Sequence, residues 1–109
     1  MKELWVTLAL GVLVCVLGAI NMTGNLSTLH RYHYKRVSDE DRKPFGRLVG
    51  GGTLLIGIVL ALFGTLSFVS EKTQNDTYLL VGSVLLVLGI VAGLGVSFYA
   101  MIKYNKGIF

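Results

Sequence analysis

Charge is what this chain mostly lacks. Only 15% of its 109 residues are Asp, Glu, Lys or Arg, and none falls within Leu4–Leu29, Leu48–Ser70 or Thr77–Ile102, stretches of 26, 23 and 26 residues. All sixteen charges lie in the remaining 34 residues. A soluble enzyme or a disordered tail cannot be built on that distribution, because each needs polar surface along its whole length. Cysteine is nearly absent as well: Cys15 is alone, so an internal disulfide framework is excluded. Catalytic machinery is sparse, since nucleophiles paired with bases are missing from the apolar stretches. What is present in quantity is hydrophobic residue, at 53%, and a mean hydropathy of +0.68. Lipid is the expected solvent.

A hydrocarbon core of about 30 Å requires about 20 helical residues at about 1.5 Å each, and every uncharged stretch is long enough. A membrane strand would alternate polarity over about 10 residues, whereas these runs are apolar on all faces. The expected fold is therefore all-α: one integral membrane domain covering residues 1–109, with spans at 4–20, 48–69 and 79–102 and a polar loop at 30–47. Lys2 before an apolar run also resembles a cleaved signal peptide. The run is longer than a signal core, however, and Gly18-Ala19-Ile20 leads into no convincing small-residue cleavage pattern. The short connection Ser70–Thr77, with Asn75-Asp76 as its turn element, predicts an antiparallel hairpin of the second and third spans.

Basic residues are distributed unevenly between the two ends of these spans. Arg31, Lys35, Arg36, Arg42, Lys43, Arg47, Lys103 and Lys106 share one side, against Lys2 and Lys72 on the other. The positive-inside rule then predicts an outer N-terminus with the long loop and C-terminus in the cytoplasm of a multi-pass plasma (inner) membrane protein. Trp5, Phe68 and Tyr78 near one interface and Phe45, Tyr99 and Tyr104 near the other suit this frame, although any of these rings can simply pack.

Glycine recurs at seven-residue spacing: Gly11 and Gly18, then Gly50, Gly57 and Gly64, then Gly82 and Gly89, with Gly93 completing a GxxxG pair. Two helical turns return to nearly the same face, so each span offers a groove where another backbone can approach. These are candidate packing positions, either within one chain or between copies.

Chemically dense sequence is confined to Asn21–Arg47. Asn21, Asn25 and Thr28 would share a face if the first helix continued, with helix capping the simpler role and headgroup or ion contact the more demanding one. His30 and His33 have a spacing that can hold a metal given a third ligand, but none is evident and Arg31, Lys35 and Arg36 oppose a cation. The expectation is that they anchor at headgroup level with Tyr32 and Tyr34. Ser38 followed by Asp39, Glu40 and Asp41 has the form of a helix start, after which Pro44 either interrupts that helix or opens the second span. Acids flanked by Arg36 and by Arg42-Lys43 suggest a folded, internally paired loop. His30, Arg31, His33, Lys35, Arg36, Arg42, Lys43 and Arg47 are the candidate contacts for anionic headgroups or for a partner protein. Gly50-Gly51-Gly52 is no phosphate loop, because GxxxxGK[ST] is missing. Neither cofactor nor metal nor nucleic acid is expected. Cys15 reads as a small hydrophobe.

The stretch Gly24–Gly57, through His30, His33, Arg36-Val37 and the passage from Phe45-Gly46 to Gly50, resembles an uncharacterised prokaryotic family of small multi-span membrane proteins. The resemblance implies a prokaryotic inner-membrane location and carries no activity with it.

Three function classes follow. An accessory or regulatory membrane subunit would use the glycine faces for assembly and the polar loop for contact. A homo-oligomeric transporter or channel would need a lining, for which Thr53, Thr65, Ser67, Ser83 and Ser97 are the candidates, in the absence of any intramembrane charge. An enzyme would have to draw on His30, His33 and Asp39–Asp41, whose spacing fits no recognised catalytic arrangement.

Overall fold

The computed structural model describes residues 2–26, 29 and 34–107. His30, Arg31, Tyr32 and His33, with Ser27 and Thr28, lie outside the described residues. Three helices follow in order: α1 (Lys2–Met22), α2 (Arg42–Thr73) and α3 (Asp76–Tyr104), with a 3-10 turn at Asp39–Asp41 before α2. All three are long and apolar enough to cross a membrane, and no strand occurs among the described residues.

The helix ends have local causes. α1 stops where Gly24 adopts φ +94, a left-handed conformation that glycine enters without a Cβ penalty. The Thr23 and Gly24 amides donate to the carbonyls of Ile20 and Asn21 at 3.2 and 3.0 Å. α2 begins at Arg42, six residues before the apolar span does. Pro44 therefore belongs to its first turn, where an amide would have no intrahelical partner anyway, so the proline opens the helix and does not interrupt it. Ser38 stands at the N-cap of the 3-10 turn but makes no side-chain capping bond. At about 1.5 Å per residue the 32 residues of α2 reach about 48 Å, well beyond a hydrocarbon core.

Only Gln74 and Asn75 separate α2 from α3. Gln74 is left-handed at φ 54, and its amide donates to the Ser70 carbonyl. Ser70 Oγ donates to the Asn75 carbonyl at 2.8 Å, while Asn75 Oδ1 accepts from the Thr77 amide at 3.0 Å and caps α3. The hairpin is tighter than the expected Ser70–Thr77 connection, because both helices extend into it.

α2 packs extensively against both α1 and α3 and forms the centre of the bundle. The usual distribution of side chains is reversed. Buried hydrophobic residues are few, whereas Trp5, Val12, Leu80, Leu88 and Val91 on α1 and α3 are each 60% or more exposed. In water that surface would drive association. In lipid it is the solvated face, and close packing of small residues holds the helices together.

Candidate functional site

The polar chemistry collects at the end of the bundle where α1 and α3 stop and α2 starts. The described residues 34–41, the strap, lie at this end and are pinned by apolar contacts: Leu26, Phe45, Val49, Ala100 and Met101 form a buried cluster, with Leu29, Tyr34, Val37, Leu48 and Tyr104 packed on it. Phe45 and Tyr104 meet edge to face, their ring centroids 6.4 Å apart.

Two buried amides tie down backbone beneath this strap. Asn105 is fully buried; its Oδ1 accepts from the Arg36 amide at 2.8 Å and its Nδ2 donates to the Gly107 carbonyl at 2.9 Å. Asn21 Nδ2 donates to the Asn25 carbonyl at 3.0 Å. Asn21 thus closes the turn after α1, and the continued helical face through Asn25 and Thr28 does not form, because the helix ends at Met22. Thr28 itself lies outside the described residues. The expected ionic pairing of the loop is also corrected: among the described residues Asp39, Glu40 and Asp41 make no ion pair. Apolar burial and amide hydrogen bonds hold the strap instead.

The cations lie around this plug. Lys35, Arg36, Arg42, Lys43, Arg47, Lys103 and Lys106 are all exposed. The Arg42 guanidinium lies 6.0 Å from the Tyr34 ring centroid, and Lys103 Nζ lies 5.8 and 5.2 Å from those of Tyr99 and Tyr104. Such cation–aromatic contacts orient long side chains at low cost. Of the candidate contact residues, His30, Arg31 and His33 lie outside the described residues. Among the described residues no group of three His, Cys, Asp or Glu is placed to hold a metal.

The glycines occupy both seams of α2. A Cβ on Gly11 would lie 3.0 Å from the Gly57 carbonyl oxygen, one on Gly18 2.7 Å from the Leu54 amide nitrogen, and one on Gly57 2.6 Å from Cys15 Sγ. Gly50 faces the Gly18 carbonyl and Met22, and Gly64 faces Thr7. Across the other seam Gly82 meets Leu66, Gly89 meets Val59, and Gly93 meets the Gly52 carbonyl and Ile56. All eight candidate packing glycines therefore face a helix of the same chain. Gly46 and Gly52 belong with them: a Cβ on Gly46 would collide with the Asn21 carbonyl, and one on Gly52 would lie 2.5 Å from the Gly93 carbonyl oxygen and 2.9 Å from Ser97 Oγ. Gly46 precedes Gly50 by one turn, a signal that falls outside the apolar span at 48–69.

On the flank of the α1–α2 seam runs an open apolar groove of about 540 Å³, walled by Gly11, Cys15 and Ala19 from α1 and by Leu54, Ile58 and Ala61 from α2. The Cys15 thiol faces the Leu54 carbonyl at 3.8 Å. The hydroxyls considered as a pore lining are dispersed. Thr53 and Thr65 donate to their own helix at Val49 and Ala61, and Ser97 is buried against Gly52. Ser67 borders a separate pocket with Leu4 and Glu71, and Ser83 a shallow one with Val84 and Leu88.

The chain matches no family model, no curated protein and no solved structure. The arrangement of residues therefore carries the functional argument. Chemically it offers a cationic surface over an apolar plug, and an open apolar groove on the flank of α1 and α2.

Proposed function

We propose that this chain is a small, non-enzymatic integral membrane protein of a prokaryotic plasma membrane that serves as an accessory or regulatory subunit. Its N-terminus is outside; the strap and the C-terminus are cytoplasmic. The observation that supports this reading is the packed basic end: Lys35 and Arg36 lie on backbone held by Asn105 and the Phe45 cluster, while Arg42, Lys43, Arg47 and Lys103 stand exposed on α2 and α3, with Lys106 just past α3. A purely electrostatic tether needs no such scaffold, whereas recognition of a partner surface gains from a pre-ordered one. The basic bias of that end supports the orientation, and the resemblance of Gly24–Gly57 to small prokaryotic membrane proteins supports the location.

Because the glycine stripes are already filled by helices of the same chain, a partner would meet the cationic strap and the outer faces of α1 and α3, with anionic headgroups covering the rest of the basic end. A photo-crosslinking residue at Lys35 or Lys106, in cells expressing the chain at native level, tests the reading. A discrete heteromeric adduct, diminished by neutralising Arg36 and Arg42, is the expected result. Recovery of uncrosslinked monomer alone, both there and by mass analysis in mild detergent, would overturn it.

A further inference from the structure

Past the Ala19 and Leu54 end of the groove on the α1–α2 flank, one face of α2 leads to the basic end. Ile58, Leu54, Gly51, Arg47 and Lys43 succeed one another at three- and four-residue steps, so they share that face. Gly51, which stands between the groove and the two cations in this series, has nothing within 4 Å of where its Cβ would stand. Lys43 is at the mouth of the same seam: its Cα is 3.9 Å from the Cβ position of Gly24, the turn that ends α1. Both side chains are exposed, and among the described residues neither makes an ion pair.

We propose that this stripe binds one anionic phospholipid of the cytoplasmic leaflet, its phosphate held by Lys43 and Arg47 and one acyl chain lying over Gly51 into the groove between Ala19 and Leu54. Charge selects this occupant. Two unpaired cations beside an apolar channel call for a ligand that is anionic at one end and hydrocarbon beyond it. Arg47 and Leu54 are about 10 Å apart along the helix, within the roughly 15 Å that one leaflet's chains span. A second copy inserted in parallel would bring its own Lys43 and Arg47 to the same depth and be repelled. The inference rests on the reading that the basic end meets lipid headgroups.

The test uses the full chain with Trp5→Phe and a single reporter, Leu54→Trp, in symmetric vesicles, with Ile58→Trp as a second reporter should the first perturb folding. Quenching by phosphatidylglycerol with dibrominated chains is compared with quenching by dibrominated phosphatidylcholine. The expected result is an association about fivefold in favour of the anionic lipid, falling to near parity in Lys43→Gln/Arg47→Gln and retained in Lys103→Gln/Lys106→Gln. Equal association of both lipids would overturn the site. So would a preference unchanged by Lys43→Gln/Arg47→Gln, or lost equally in Lys103→Gln/Lys106→Gln, which marks diffuse surface potential. Relief of the preference by soluble glycerol phosphate would assign the cations to a free phosphate instead. Because the vesicles are symmetric and contain no partner, failure here leaves the accessory-subunit reading standing, and failure of the crosslinking experiment leaves this site standing.

Discussion

Replacing Gly50 by alanine adds one methyl group where α1 and α2 already touch. That Cβ would collide with the Gly18 carbonyl and stand 2.6 Å from Met22 Cγ and 2.7 Å from the Met22 amide nitrogen. The Met22 side chain can rotate away; the backbone of α1 cannot. Carbon atoms prefer separations of about 3.5–4.0 Å, so the helices must part locally by about 1 Å, and a gap of that size forfeits a quarter to a half of each contact's attraction. Taking about 50 atom pairs in the seam at about 0.15 kcal/mol each, the loss is about 2–4 kcal/mol. In lipid no hydrophobic term compensates, since the separated faces are as well solvated by acyl chains as by each other. Gly51→Ala supplies the control. Its added methyl meets nothing within 4 Å, and helices exist in both the packed and the separated states, so its effect should stay within about 0.5 kcal/mol. Reversible unfolding in mixed micelles, followed by steric trapping of tagged α1 and α2, measures both. Equal destabilisation by the two alanines would refute the argument that backbone proximity holds this bundle together. Gly18→Ala combined with Gly50→Ala should cost less than the sum, because both probe one contact.

Three further outcomes are expected. Asn105→Ala removes the acceptor of the Arg36 amide and should raise hydrogen exchange at Arg36 and Val37 by about 1–2 kcal/mol of local opening, leaving exchange in the middle of α2 unchanged. Pro44→Ala should alter stability in the micelle assay by less than about 0.5 kcal/mol, since the proline sits in the first turn of α2; a gain of about 3 kcal/mol would mean that it breaks the helix after all. In a Cys15→Ala background, an impermeant maleimide should modify Ser38→Cys and Lys106→Cys from one side of sealed vesicles and Gln74→Cys only from the other. Modification of all three from the same side would contradict three crossings.

How far the fold was legible follows from what each feature depends on. The three helices long and apolar enough to cross a membrane could be read because a charge in hydrocarbon is so unfavourable that a span must do without one for about twenty residues. The glycine stripes could be read because no other residue lets two backbones come within contact, but periodicity carries no information about which backbone arrives. The start of α2, six residues before the apolar span at 48–69, was less legible for a related reason: hydropathy marks where an apolar stretch begins, and a helix can project beyond it without changing its hydrogen bonding. The strap was least legible. Its anchor joins Arg36 to Asn105 across 69 residues, and a lone Asn after a helix looks like an ordinary cap until the chain has been brought back over it. The ionic pairing expected around Asp39–Asp41 gave way to apolar burial of Leu26, Val37 and Phe45, whose mutual packing no spacing in the sequence announces.

The Gly50-Gly51-Gly52 triplet ties these features together. On a helix, successive residues point about 100° apart, so Gly50 and Gly52 face nearly opposite directions while Gly51 points between them. The contacts agree: Gly50 meets α1 and Gly52 meets α3, and Gly51 meets neither. A helix flanked by two others keeps only two narrow free faces. One of them carries Gly51, and the same stripe runs from Lys43 and Arg47 at the basic end to Leu54 and Ile58 along the groove. Placing α2 between α1 and α3 therefore does more than complete the bundle. It withdraws every tight glycine contact from the lipid and leaves, on a residual free face of α2, two cations aligned with an apolar channel. Substituting Gly50 or Gly52 should open the bundle, whereas Gly51→Leu should leave it closed and obstruct that channel. The triplet thus separates the residues that hold the fold from the one that leaves it room to bind.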